Sequence, residues 1–214
     1  MIERLVPDAV AVASSREDLE AELPAAEEAA VARAVATRRR EFATGRTCAR
    51  LALRRLGIGP VAIPAGERGE PVWPDGVVGS ITHCRGYRAC AVATADEVLA
   101  VGVDAEVHEP LPAGVLAQVA FGPERATVMD RTAGVHLDRL LFSAKEAVYK
   151  VWFPLTRRWL GFEDVELSVD TSARSFRARL LVPGPVVAGA PLTELRGRWC
   201  VDGGLVATAV VLLA

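Results

Sequence analysis

Residues 137–153 read LDRLLFSAKEAVYKVWF. Within them Leu137, Leu140, Leu141, Ala144, Val148, Val151 and Trp152 recur at three- and four-residue spacing, which predicts one buried stripe along an α-helix. Pro154 follows and predicts the helix end, because it offers no N–H to the preceding turn. The stripe leaves Glu146 and Lys150 one turn apart on the polar face, with Lys145 about 100° round from Glu146. Such a pair reads either as a solvated i,i+4 contact worth about 0.2–0.5 kcal/mol or as part of a charged site. Of the 25 basic residues only Lys145 and Lys150 are lysines. Arginine is a planar fork that stays charged, whereas lysine is a compact charge that can lose its proton. The clustering is therefore either chance or the mark of a site that needs an ammonium.

Working outward, VVGSITHC (77–84) and YRACAVAT (87–94) read as two strands joined at Arg85-Gly86, and Val98–Val107 as a third. The stretch IPAGERGEPVWPDG (63–76) is broken by Pro71, Pro74 and Gly76 and predicts a loop. Glu27–Leu56 is helix-rich, with Gly45 as a break and Gly57 as a stop, and Leu116–Met129 is weakly helical. After the long helix come strands at Val165–Val169, Phe176–Val182, Leu195–Val201 and Leu205–Leu213, the last two turned by Asp202-Gly203-Gly204. Helix followed by strands occurs twice, so the chain reads as α+β in two halves, residues 1–104 and 105–214.

The length of 214 residues, 51% hydrophobic content, 24% charge and net charge of −2 rule out wholesale disorder and argue against a nucleic-acid partner. No stretch approaches the roughly 18 apolar residues of a membrane-crossing helix. The opening MIERLVPDAVAVASSREDLE lacks a basic start leading into an apolar run, so the expectation is an unsecreted, cytoplasmic chain without membrane contact. Cys48, Cys84, Cys90 and Cys200 form no CxxC pair and read as reduced thiols.

VGVDAEVH sets Asp104 and Glu106 two apart on a strand, on one face, with Val103 and Ala105 on the other. Adjacent carboxylates repel unless a cation lies between them, and hard oxygen ligands favour Mg²⁺. A polar strand face in solvent is the plainer reading. His83, beside Ser80, Thr82 and a glycine turn, reads as a structural hydrogen-bonder or as an anion ligand. Arg46, Arg50 and Arg54 recur every four residues, either as a solvated face or as a phosphate clamp. Arg38-Arg39-Arg40 is most simply a solvated run. Trp152, Phe153, Trp159 and Phe162 straddle Pro154 and Arg157-Arg158; most of that set belongs in the core, and an exposed part would be a partner patch.

In this order EPVWPDGVVGSITHC, VGVDAE and FSAKEAVYKVWFP resemble the signature segments of 4′-phosphopantetheinyl transferases, the Sfp type, in the EntD-like branch and closest to actinobacterial PptT-type enzymes. The resemblance runs from GRTCAR at residue 45 to RGRWCVDGGLVATAVVL and leaves out about the first 25 residues. It implies a pseudo-twofold α+β fold of two similar halves with the active site between them. The N-terminal half would take the nucleotide of coenzyme A, and the C-terminal half would carry the catalytic helix and meet the carrier. The implied reaction moves phosphopantetheine from coenzyme A to a serine of acyl or peptidyl carrier proteins and releases adenosine 3′,5′-bisphosphate. These carriers serve fatty-acid, polyketide, non-ribosomal peptide and siderophore assembly.

By motif, Asp104, Glu106 and Glu146 would hold Mg²⁺ (or Mn²⁺), with Glu146 as general base and Lys150 on the leaving phosphate. Lys145 would contact the pyrophosphate, Thr82 and His83 the 3′-phosphate, and Arg46 and Arg54 the same nucleotide end. Where many members carry G-K-P, this chain has Arg68-Gly69-Glu70-Pro71, and Arg68 is the candidate substitute. The branch mostly acts as monomers. Two other readings compete: a Mg²⁺-dependent phosphohydrolase using the same carboxylates, and a non-enzymatic carrier binder that has kept the fold.

Overall fold

The computed structural model describes residues 1–112, 114–129 and 134–214. In chain order its elements are β1 (Ala11–Ser15), α1 (Ala25–Glu28), α2 (Ala36–Arg55), β2 (Val77–Cys84), β3 (Tyr87–Thr94), β4 (Val98–Val107), α3 (Leu116–Val119), α4 (Glu124–Val128) and α5 (Leu137–Thr156). The chain ends with β5 (Val165–Asp170), β6 (Ser175–Leu180), the two-residue strands β7 (Val186–Val187) and β8 (Ala190–Pro191), β9 (Glu194–Asp202) and β10 (Leu205–Leu213). A small antiparallel sheet has the order β1-β3-β2, and a larger one β4-β10-β9-β6-β5. This mixed arrangement agrees with the α+β expectation.

Two-residue alternation stacks the layers. On β3, Cys90 and Val92 face Cys48, Ala49, Ala52 and Leu53 of α2. Ala89, Ala91 and Ala93 face the other way, onto Val101, Val103 and Ala105 of β4 and Ala207 and Ala209 of β10. Those small side chains let the two sheets lie close. The opposite face of β10 and β9, with Trp199, Val206 and Val210, packs against Leu140, Ala144, Val148, Val151 and Trp152 of α5. The order is thus helix, small sheet, large sheet, helix. Truncating a buried leucine of this interior, such as Leu140, costs about 2–5 kcal/mol.

Two expected breaks are not breaks. Helix α2 runs through Gly45, where an added Cβ would lie 3.2 Å from Ile81 Cγ2. The glycine lets the helix pass close to β2 and does not interrupt it. Helix α5 includes Pro154 and ends two residues later at Thr156; Arg157, which follows, takes a left-handed conformation (φ 55°), and its N–H bonds Phe153 O at 2.8 Å. Strand β1 and the split of residues 116–128 into two short helices are additions to the sequence-based expectation. Residue 104, where the two halves were expected to meet, lies inside β4 and pairs with Thr208 of β10. Among the described residues no helix is long and apolar enough to cross a membrane.

Candidate functional site

Helix α5 can reach β4 because residue 102 has no side chain: a Cβ there would lie 2.0 Å from the carbonyl oxygen of Ala147. Thr208, opposite Asp104 on β10, donates from Oγ1 to Ser143 O at 2.9 Å and fixes the helix along its length. This docking carries Lys150 onto the strand, where Nζ donates to Val103 O at 3.0 Å and to Asp104 Oδ1 at 2.8 Å. Asp104 is 5% exposed, and its second oxygen, Oδ2, is buried with no hydrogen-bond partner.

The sheets are clipped together beside this pair. Ser80 Oγ accepts from Val103 N and Thr82 Oγ1 from Ala105 N, each at 3.0 Å, so hydroxyls of β2 satisfy amides on the free edge of β4. Thr82 Oγ1 also donates to Asp104 Oδ1 at 3.2 Å. Glu106 accepts from Arg139 Nη1 at 3.1 Å, and Arg139 is itself fixed by Glu109 O and Pro110 O, each at 3.0 Å. Burial, and then the Asp104 charge, push the Glu106 carboxyl up to about 7. Burial and Asp104 also raise Glu146, which the Lys150 charge partly offsets. Asp104, Glu106, Glu146, Lys150 and Thr82 therefore share one neighbourhood.

His83 lies just beyond. Its Nε2 meets Arg38 Nη1, and partial burial, with the Arg38 charge adding to it, pushes its pKa down. Arg46 is 4% exposed and stacks over Phe42 at 4.4 Å, yet its Nε and Nη2 have no acceptor. Burial outweighs the neighbouring Glu27 charge and brings its pKa down to about 10. Arg50 is committed to Glu27, with Nη1 on both carboxylate oxygens at 2.7 and 3.0 Å, and Arg54 is exposed on α2. Arg68 is exposed, with its guanidinium 6.0 Å from the Phe153 ring.

Three of the expected groups are engaged within the protein itself. Lys145 does not reach the cluster. Its buried ammonium donates to Glu124 Oε2 (2.8 Å), Val119 O (2.9 Å) and Phe162 O (2.7 Å), so all three hydrogens are used inside the C-terminal core. Thr82 is buried, and its hydroxyl hydrogen is directed to Asp104. Among the described residues no three His, Cys, Asp or Glu side chains gather closely enough to hold a metal ion. Asp104 is turned to Lys150 and Glu106 to Arg139.

The donors still suit an ion completed by other ligands. Asp104 Oδ2 is an orphaned hard oxygen, and its charge raises two neighbouring carboxyls. Mg²⁺ commonly takes only one or two carboxylates, with phosphate oxygens and water making up the rest. A groove of about 640 Å³ lined by Ser168, Arg177 and Arg198 lies on the opposite face of the large sheet and carries none of these groups.

Two participants escape a reading of the sequence motifs. Arg139 lies seven residues before Glu146, two turns along the same helix face, and that spacing is a usable signal. Arg38 meets His83 across 45 residues of sequence, a contact that no local pattern encodes.

The family description "4'-phosphopantetheinyl transferase N-terminal domain" matches residues 26–93, and "4'-phosphopantetheinyl transferase superfamily" matches residues 100–187. The chain is similar to the 4′-phosphopantetheinyl transferase PptT of Mycobacterium tuberculosis, with 54% identity over 188 residues, covering 85% of this chain and 82% of that one. It is 56% identical to Svp of Streptomyces mobaraensis over 192 residues, covering 88% and 78%. With Npt of Nocardia iowensis it shares 49% identity over 221 aligned positions, covering 98% and 99%.

Proposed function

The chain belongs to the 4′-phosphopantetheinyl transferase superfamily, and from that premise we infer that it transfers phosphopantetheine from coenzyme A to a serine of a carrier protein. The observation that carries a catalytic reading of this cluster is the Lys150–Asp104 contact of 2.8 Å beside Glu146.

In the reaction the serine oxygen bonds to the phosphorus bearing the pantetheine, the pyrophosphate bridge breaks at that phosphorus, and adenosine 3′,5′-bisphosphate leaves. Glu146 takes the serine proton; a carboxyl raised above its ordinary range is a better base for that task. Lys150 offsets charge on the departing phosphate, and Asp104 holds the ammonium in place. Asp104 and Glu106, with Glu146 nearby, would hold Mg²⁺ or Mn²⁺, which when bound neutralises pyrophosphate charge. Arg46, His83 and Arg38 form the anion end for the nucleotide, where the unpartnered Arg46 guanidinium gains an acceptor. Arg54 and Arg68 are exposed and would add positive charge for the nucleotide and pyrophosphate, Arg68 from beside Phe153 of α5. In this reading residues 1–104 take the nucleotide and residues 105–214 supply the catalytic helix, within a monomer.

The carrier docks where Trp159, 68% exposed, lies 5.2 Å from Tyr149, with Arg157 and Arg158 at the rim. Carriers are acidic around the modified serine, so an aromatic and basic patch complements them despite the net charge of −2. The test is a mass spectrum of an apo carrier after incubation with the chain, coenzyme A and Mg²⁺. A phosphopantetheine adduct is expected, and its absence over a range of carriers would overturn the reading.

A further inference from the structure

Ser80 and Thr82 sit two apart on β2 and do the same thing to β4: each hydroxyl accepts one backbone N–H, from Val103 and Ala105, at 3.0 Å. They differ in one bond. Thr82 also donates, and the acceptor is Asp104 Oδ1, the oxygen that Lys150 holds. A hydroxyl has one hydrogen, so the Ala105 amide fixes the orientation of Oγ1 and its hydrogen falls to the carboxylate. With Oδ1 bound from two sides, the carboxylate plane cannot rotate, and Oδ2 is the oxygen left without a partner.

We propose that Thr82 is a positioning residue: it locks Asp104 so that Oδ2 alone is presented to the cation and pyrophosphate, and it is not a ligand of the coenzyme A phosphate. The inference rests on the transferase reading for its substrate and on this chain's own hydrogen bonds for its geometry. Outer partners of this kind typically carry about 10–100-fold in metal affinity or activity.

The test compares the full-length chain with Thr82→Val, Thr82→Ser and Ser80→Ala. Ser80→Ala removes the same kind of strand clip without touching a carboxylate. Three readouts are taken: kcat and KM for coenzyme A, the same for 3′-dephospho-coenzyme A, and Mn²⁺ binding followed by electron paramagnetic resonance without turnover. Thr82→Val is expected to lower kcat and weaken Mn²⁺ binding about tenfold or more, with KM for coenzyme A within about twofold. Thr82→Ser restores both, and Ser80→Ala changes neither. A rise in KM for coenzyme A but not for its 3′-dephospho form, with kcat intact, would make Thr82 a phosphate ligand and overturn the proposal. Indistinguishable behaviour of Thr82→Val and Ser80→Ala would reduce Thr82 to a strand clip and overturn it equally.

If the unmodified chain transfers nothing, the transferase reading fails, whereas the Mn²⁺ comparison still decides the positioning role. Should Thr82→Val not fold, the structure of the unmodified chain with coenzyme A decides it. Oγ1 retained on Asp104 supports the proposal, and Oγ1 on a phosphate oxygen refutes it.

Discussion

Replacing Gly102 with alanine tests whether the approach of α5 to β4 builds the site. The new Cβ would stand 2.0 Å from Ala147 O and 3.0 Å from Val151 Cγ2, and the first of these is backbone that cannot swing aside. To restore ordinary contact, which begins at 3.4 Å, α5 must retreat by roughly 1.4 Å, and overpacking of that kind costs about 1–3 kcal/mol or more. For a chain of this length each kcal/mol moves the melting temperature by about 2–4 °C, so a fall of about 2–12 °C is expected. The retreat also lengthens the 2.8 Å Lys150–Asp104 contact, and a misplacement of about 1 Å can cost around 100-fold in rate. Scanning calorimetry and carrier-modification kinetics measure the two effects. Gly59→Ala is the control, since a Cβ added there meets nothing within 4 Å and the backbone is not left-handed. A Gly102→Ala chain that melts and turns over like the Gly59→Ala control would refute the reasoning.

Three further outcomes rest on the same geometry. Glu106 titrates near 7 when folded, against 4.5 ordinarily, so the unfolded chain loses this proton first and stability falls as pH rises from about 4.5 through 7. With a chelator present, unfolding free energies from urea titrations at pH 5.5 and 8 should differ by about 2 kcal/mol, and Glu106→Gln should remove most of the difference. Lys145→Met strands the buried Glu124 charge and should cost about 3–5 kcal/mol in urea unfolding, with KM for coenzyme A unchanged in the folded fraction. Charge reversal at Arg157 and Arg158 should raise KM for the carrier and leave that for coenzyme A alone; equal effects on both would remove the docking assignment.

Local patterns carry far because they are local. The alternation of VGVDAEVH puts Asp104 and Glu106 on the α5 side and Val103 and Ala105 between the sheets, and the stripe of residues 137–152 buries the face that it marks. Lys145 departs from its expected place because helical spacing tells which face a residue takes but not what covers that face. The cover is Glu124, Val119 and Phe162, which come from both sides of the helix in sequence. The partner of Thr82 is hidden for a related reason: its hydroxyl bonds Asp104, 22 residues along the chain, which no local pattern reveals. Gly45 and Pro154 carry breaking propensities of about 1 and 3 kcal/mol, which the packing of α2 on β2 and of α5 on the large sheet outweighs.

If transfer happens in the charged cluster between β4 and α5, removing its carboxylates must stop chemistry before it stops binding. Single-turnover modification of an apo carrier by Asp104→Ala and Glu146→Gln, with coenzyme A binding followed by calorimetry on the same samples, tests this most directly. Both variants should still bind coenzyme A while transfer falls below detection; transfer at the unmodified rate by either would place the chemistry elsewhere.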